Sequence, residues 1–153
     1  MIPVELKNIP HWITWKFHGK DKKPLSPYGI VANALDPVNW INYRQAVARR
    51  IARRLESIEL GIGFVLDGDY VVIDGDHEPW ISLLVWKFLT KTYCEVSPHG
   101  GIHVWLKGSH INERGNFEVY NSKRWMTISE HGNNREIAEL TEGDTQWLLE
   151  HIQ

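Results

Sequence analysis

The chain has 153 residues, 42% of them hydrophobic and 24% charged, a balance that excludes collagenous, coiled-coil and wholly disordered classes. A formal charge of −2 argues against a general polyanion-coating surface and leaves room only for a local basic patch. One cysteine, Cys94, excludes an internal disulfide and a Cys-based metal cage, and no apolar run reaches the roughly 20 residues of a membrane span or forms a signal-peptide core at the start.

In chain order, residues 1–30 predict strands and turns. Trp12-Ile13-Thr14-Trp15-Lys16-Phe17 is β-branched and aromatic, and Pro24, Pro27 and Gly29 break the stretch after it. Asp36-Pro37 predicts a helix start, with the acid as N-cap and proline at the first helical position. Trp40, Tyr43, Val47, Ile51, Leu55 and Ile58 recur at helical spacing, with Arg44, Arg49, Arg50, Arg53 and Arg54 as the outer face. That arginine row is either a solvated helix face, diluted by Glu56 and Glu59, or a track for template phosphates.

Residues 61–66 and 70–74, joined by Asp67-Gly68-Asp69, predict a β-hairpin. Pro79 opens a second helix with an apolar stripe of Trp80, Leu84, Val85, Phe88 and Leu89. Strands are expected at 93–97, 102–107, 117–120 and 125–129, and a short helix at 145–152. This order predicts an α+β fold, a mostly antiparallel sheet with helices packed on one face, in a single domain. Eight tryptophans predict an aromatic core, Trp12, Trp15, Trp40 and Trp105 among it. Trp125 is either core or a platform for a base.

Three segments carry candidate chemistry. Tyr70-Val71-Val72-Ile73-Asp74-Gly75-Asp76 ends a buried-type strand in two acids. Positions i and i+2 of a strand face the same way, about 6.5 Å apart, so both carboxylates can meet one hard cation. Gly75 between them would let a ligand approach the backbone. The alternative is a strand-end turn in which Asp76 caps the next helix. Ser97-Pro98-His99-Gly100-Gly101-Ile102-His103 is either a small phosphate cradle or a hairpin loop with a satisfied histidine. Glu118, in Phe117-Glu118-Val119-Tyr120, either points to solvent or shares a cation with Asp74 and Asp76, since an unpaired acid in a core is costly. Asn121-Ser122-Lys123-Arg124 follows as a solvated hairpin loop or as a pair of cations near that acid.

Taken in this order, the three segments resemble the archaeo-eukaryotic primase superfamily, above all the bifunctional primase-polymerase domains of phages and plasmids. The likeness extends to Trp12-Ile13-Thr14-Trp15-Lys16, Lys22-Lys23-Pro24, Asp36-Pro37 with Trp40, Gly61-Ile62-Gly63-Phe64-Val65-Leu66 and Trp125-Met126-Thr127-Ile128-Ser129, and so covers nearly the whole chain. The chain departs from the family at Gly75, where an apolar residue is usual, at His99, where a small one is, and at Asn121, where aspartate is common. The resemblance implies an RRM-like primase-polymerase core, with 1–60 as an N-terminal strand and helix portion and 61–140 as the metal- and nucleotide-binding sheet.

It also implies template-directed nucleotidyl transfer, by a DNA primase or DNA polymerase, with two Mg²⁺ or Mn²⁺ ions. Asp74, Asp76 and Glu118 would hold the metals and serve as the catalytic acids. Ser97 and His103 would bind the triphosphate of a dNTP or NTP, and Lys123 or Arg124 would neutralise the departing pyrophosphate. The implied partners are single-stranded DNA template or primer-template and a helicase, in the host cytoplasm and away from membranes. Two other readings stand beside it: a non-catalytic nucleotide- or DNA-binding module, and a relaxase-type nuclease. The nuclease is disfavoured because position 105, where a second metal-binding histidine would stand, is Trp.

Overall fold

The computed structural model describes all 153 residues. The fold is α+β, an open mixed sheet of eight strands, mostly antiparallel, with four α-helices. In chain order the elements are α1 (Val4–Lys7), β1 (Trp12–His18), β2 (Asp21–Leu25), a 3₁₀ turn (Pro37–Asn39), α2 (Tyr43–Leu55), β3 (Gly61–Gly75) and α3 (Trp80–Phe88). There follow β4 (Cys94–Val96), β5 (Ile102–Lys107), β6 (Glu113–Arg114), β7 (Glu118–Ile128), β8 (Ala138–Glu139) and α4 (Glu142–His151). No helix is long and apolar enough to cross a membrane. The chain forms two compact units: Ile2–Val65 with Lys123–Ile128, and Leu66–Ser122 with Ser129–Gln153 and Met1.

In the first unit, β1 pairs antiparallel with β2 and with the opening residues of β3. Two glycines make room for two indoles. A Cβ on Gly61 would stand 2.2 Å from the Trp15 ring, and one on Gly63 would stand 2.9 Å from Trp125. Trp125 is therefore half-buried packing against the sheet rather than an open platform for a base. The indole N–H groups of Trp12, Trp15 and Trp40 each donate to a backbone carbonyl, of Leu6, Ile62 and Ala34 respectively, so the buried Trp12 and Trp15 and the half-buried Trp40 carry no hydrogen-bond deficit.

Helices in this unit differ from the periodicity. α1 lies in the stretch expected to be strands and turns. Asp36 caps only the 3₁₀ turn, accepting from the Val38 N–H at 3.1 Å. The helix proper starts afresh at Asn42, whose side chain and that of Gln45 bond reciprocally to each other's backbone N–H, satisfying two of the orphan donors of the first turn. The expected apolar stripe also turns partly outward. Ala46 is buried, while Ile51 is 55% and Leu55 84% exposed, because the small alanine lets the helix backbone seat closely and brings Arg49, Arg50 and Arg53 to half-buried positions. Arg49 donates to the Pro27 carbonyl, and Arg53 and Arg54 pair with Glu56 and Glu59.

In the second unit the expected hairpin does not form. Residues 61–75 are one strand, and 70–75 pair antiparallel with β5, from Tyr70 opposite Lys107 to Gly75 opposite Ile102. Gly68 adopts φ +100°, a conformation glycine reaches without strain, and this is absorbed within the strand instead of reversing the chain. The Asn121 amide holds the stretch by donating to the carbonyls of Gly68, Tyr70 and Gly108. The two strands expected at 117–120 and 125–129 are likewise one, β7. Its expected loop is overridden because Asn121 is buried by those bonds, and Lys123 takes a left-handed φ of +55° inside the strand. β4 pairs with β5, and β8 runs parallel to β5.

The core of this unit joins Val71 and Ile73 of β3, Ile102, Val104 and Leu106 of β5, and Phe117 and Val119 around β7 to Leu84 and Phe88 of α3 and Leu148 of α4. Trp86, on the outer side of α3, is 80% exposed. α4 begins three residues earlier than expected because Thr141 and Asp144 form a capping box. Asp144 is buried against Lys91. Burial alone would raise its carboxyl pKa, and the hydrogen bonds from Lys91 and Thr141 outweigh it and hold the pKa below the usual range.

Candidate functional site

Alternation along the strands of the second unit sorts its side chains by face. Val71, Ile73, Cys94, Ile102, Val104, Phe117 and Val119 all lie in the helix-covered core. The residues between them, Asp74, Glu95, His103 and Glu118, therefore project from the opposite face. The strand ladder brings three of these into a row: Asp74 is directly opposite His103 across β3 and β5, and His103 directly opposite Glu95 across β5 and β4. His103 Nε2 lies 3.6 Å from Asp74 Oδ1, and Nδ1 lies 3.1 Å from Glu95 Oε1.

Glu95 is fully buried. Its other oxygen, Oε2, accepts from the Tyr93 hydroxyl at 3.1 Å and from the Ser129 backbone N–H at 3.1 Å. Burial, with the Glu95 carboxylate beside it, pushes the Tyr93 phenol well above its ordinary pKa, so it stays protonated and donates. Tyr93 is wedged in place by Gly132, where a Cβ would stand 2.4 Å from the ring. On the core side of β4, burial pushes the Cys94 thiol up to about 12, which makes it inert as a nucleophile or ligand.

The loop between β4 and β5 closes the other side of this corner. Ser97 N–H donates to the Gly101 carbonyl at 2.9 Å and Gly100 N–H to the Ser97 carbonyl at 3.0 Å, with Gly100 at φ +89°. Gly101 has no room for a side chain: a Cβ would meet the Gly75 carbonyl at 2.4 Å, Asp76 Oδ1 at 2.9 Å and Ser97 Oγ at 3.0 Å. Asp76 and Ser97 thus crowd one point over Gly101. The Ser97 hydroxyl is buried with no hydrogen-bond partner, a costly arrangement for a polar group unless something else completes it.

The structure therefore brings together Asp74, His103, Asp76 and Ser97, all at the C-terminal end of β3 and its neighbouring loop. Asp76 does not cap α3, whose N-terminus makes no side-chain cap; Glu78 serves the first turn instead, accepting from Ser82. Gly75 is not an opening for a ligand. Its missing side chain makes room for Leu84, whose Cδ1 would stand 2.6 Å from a Cβ there, and for Ile102 at 3.2 Å. Glu118 shares the face of Asp74, opposite Arg114 of β6 in the ladder, yet no group of three or more His, Cys, Asp or Glu side chains is arranged to hold a metal ion. Lys123 and Arg124 lie on the part of β7 that belongs to the first unit, as a strand rather than a loop.

Glu95 and Tyr93 are the residues that motif reasoning does not single out. The available signal is the placement of Glu95 two residues before Ser97, on the same side of a strand that pairs with the one carrying His103. No family model matches this chain, and no curated protein matches it in sequence.

Proposed function

We propose that the chain is a metal-dependent nucleotidyltransferase of the primase-polymerase kind, adding a dNTP or NTP to a strand paired with a single-stranded DNA template. The observation that carries the reading is the meeting of Asp74, Asp76, Ser97 and His103 at one strand end, with Glu118 on the same face as Asp74. Asp74 and Asp76 suit a hard divalent cation, Mg²⁺ or Mn²⁺, that takes its remaining oxygens from phosphates and water. A second ion would draw on Glu118 together with the triphosphate. When bound, such ions supply acidity to the attacking 3′-hydroxyl and charge stabilisation to the pyrophosphate.

The chain's own residues bind and orient. Ser97 Oγ, buried and unpartnered, offers a hydroxyl to a phosphate oxygen at the point where Asp76 stands. Gly101, bare of side chain, leaves the room in which Asp76 and Ser97 come together. His103 presents Nε2 on the Asp74 side, where it can hydrogen-bond the triphosphate. The 3′-oxygen then bonds to the α-phosphorus as the bond to the pyrophosphate oxygen breaks, and no covalent enzyme intermediate is needed.

One observation favours a second reading, nucleotide binding without catalysis: three ligating acids are not gathered into one group. Primer extension with Mg²⁺ or Mn²⁺ separates the two. The transferase reading expects incorporation by the native chain and its loss in Asp74→Ala/Asp76→Ala, with circular dichroism unchanged. Incorporation that survives in the folded double variant contradicts it, and metal-dependent nucleotide binding without incorporation supports the second reading.

A further inference from the structure

We propose that the β1–β2 hairpin of the first unit is a binding surface for single-stranded DNA, holding backbone phosphates on its lysines and a base on Phe17. The proposal rests on the nucleotidyltransferase reading only for the identity of that strand as a DNA template. The binding itself follows from charge and exposure and needs no metal.

Charge is divided unequally between the two units. The first holds 12 Lys and Arg against 5 Asp and Glu, the second 5 against 14, so formal charges of +7 and −9 lie behind the chain's total of −2. A net charge that disfavours a polyanion over the whole surface therefore still favours one on the first unit.

Within that unit the arginines of α2 are largely engaged. Arg49 donates to the Pro27 carbonyl, and Arg53 and Arg54 pair with Glu56 and Glu59. The hairpin is different. Lys16, Lys20, Lys22 and Lys23 share residues 16–23 with a single acid, Asp21, which stands 4.0 Å from Lys23.

Lys16 lies directly opposite Lys23 in the ladder, and Phe17 directly opposite Lys22. Side chains so opposed share a face, with Cβ atoms about 4.5–5.5 Å apart, and two like charges there repel. A phosphate between Lys16 and Lys23 replaces that repulsion with attraction. On the other face Phe17 is 48% exposed, and its ring meets the buried Trp15 at 5.0 Å and 88°, so the open aromatic is backed by the core. An aromatic ring beside a cation suits a base and its phosphate, and any base serves, because each has a π-face. A duplex, with its bases stacked inward, offers Phe17 no such partner. β2 is also an edge strand of the sheet, and edge lysines can serve merely to block pairing with another sheet. That use alone predicts no affinity for nucleic acid.

Fluorescence anisotropy of a labelled oligothymidylate of about 20 nucleotides with the full chain, in EDTA from about 50 to 200 mM NaCl, tests this. The native chain is expected to bind the strand and to lose affinity steeply with salt. Lys16→Ala/Lys20→Ala/Lys22→Ala/Lys23→Ala is expected to flatten the slope of log Kd against log salt by roughly 2–3, and Arg53→Ala/Arg54→Ala by less than about 1. Phe17→Leu, which keeps an apolar contact with Trp15, is expected to bind about fivefold more weakly or worse at an unchanged slope. The proposal is overturned by a native chain that does not bind, by equal affinity for a duplex of the same length, or by a slope unmoved in the lysine variant with circular dichroism unchanged. Native affinity in Phe17→Leu overturns it too, since the surface is then a general polyanion site. Asp74→Ala/Asp76→Ala is expected to bind the strand as the native chain does. A native chain that binds the strand through this hairpin but incorporates no nucleotide contradicts the transferase reading and supports the hairpin surface.

Discussion

Asp-Gly-Asp occurs twice, at residues 67–69 within β3 and at 74–76 across its end, and the two copies are put to opposite uses. In the first, both acids are exposed, and Gly68 takes φ +100° with nothing near the position of a Cβ. In the second, Gly75 is packed under Leu84 and Ile102, Asp74 faces His103, and Asp76 crowds Ser97 over Gly101. The same three letters give a solvated kink in one place and, in the other, one acid set against His103 and one against Ser97. What separates them is the neighbouring chain: β5 and its preceding loop lie against the second copy, while the first is held by the amide of Asn121. Local chemistry proposes the pattern, and tertiary packing decides its meaning.

The largest expected effect breaks this comparison at the level of activity. Asp74→Ala/Asp76→Ala is expected to lower nucleotide incorporation by at least about 10²-fold, while Asp67→Ala/Asp69→Ala leaves it within about twofold, a barrier change of about 0.4 kcal/mol. Equal losses in both double variants would remove the distinction.

Next in size is the support behind the second copy. Glu95→Ala leaves His103, the Tyr93 hydroxyl and the Ser129 N–H without their shared acceptor, at an expected cost of about 3–5 kcal/mol in urea unfolding. Asp69→Ala, exposed, is expected to stay within about 0.5 kcal/mol.

The glycines sharpen the contrast further. Gly75→Ala meets Leu84 and is expected to cost about 1–3 kcal/mol, and Leu84→Ala should relieve part of it, giving a favourable coupling in a double-mutant cycle. Gly68→Ala meets no atoms, so its cost, about 1–2 kcal/mol, is that of the left-handed backbone and shows no such coupling to Leu84. Smallest of all is the effect on Cys94, which lies in the same core as Leu84 and Ile102. With its thiol pushed up to about 12 by burial, it should resist iodoacetamide at pH 8 in the native chain, well below the pH at which thiolate forms. Gly75→Ala should raise that labelling rate measurably, whereas Gly68→Ala should not.

Much of the framework was legible in the residues. The alternation in β5 and the β-branched, aromatic run of β1 mark strands, and the stripe after Pro79 marks α3, because each follows one period over enough residues to be distinctive. Alternation sets Asp74 and His103 apart from their apolar neighbours, but that His103 and Glu118 share the face of Asp74 is seen only once the strands are paired. The reversal expected at Asp67-Gly68-Asp69 did not occur, because turn propensity is a local preference and the pairing of 70–75 with β5 is not. The loop expected at 121–124 failed for the same reason: Asn121 reads as a turn former until its three carbonyl partners, distant in sequence, are known. Glu95 was hidden for another cause. A strand of three residues shows no period, and its partners stand at positions 93, 103 and 129, which only the folded chain brings together.

The central claim is that the second Asp-Gly-Asp, with Ser97 and His103, receives the phosphates of a nucleotide through a divalent cation. Calorimetric titration of dATP into the native chain with and without Mn²⁺, repeated on Asp74→Ala/Asp76→Ala and Asp67→Ala/Asp69→Ala, measures it most directly. The account predicts metal-dependent binding by the native chain and by the 67/69 variant, and none by the folded 74/76 variant. Binding that is indifferent to Mn²⁺, or that persists without Asp74 and Asp76, would contradict it.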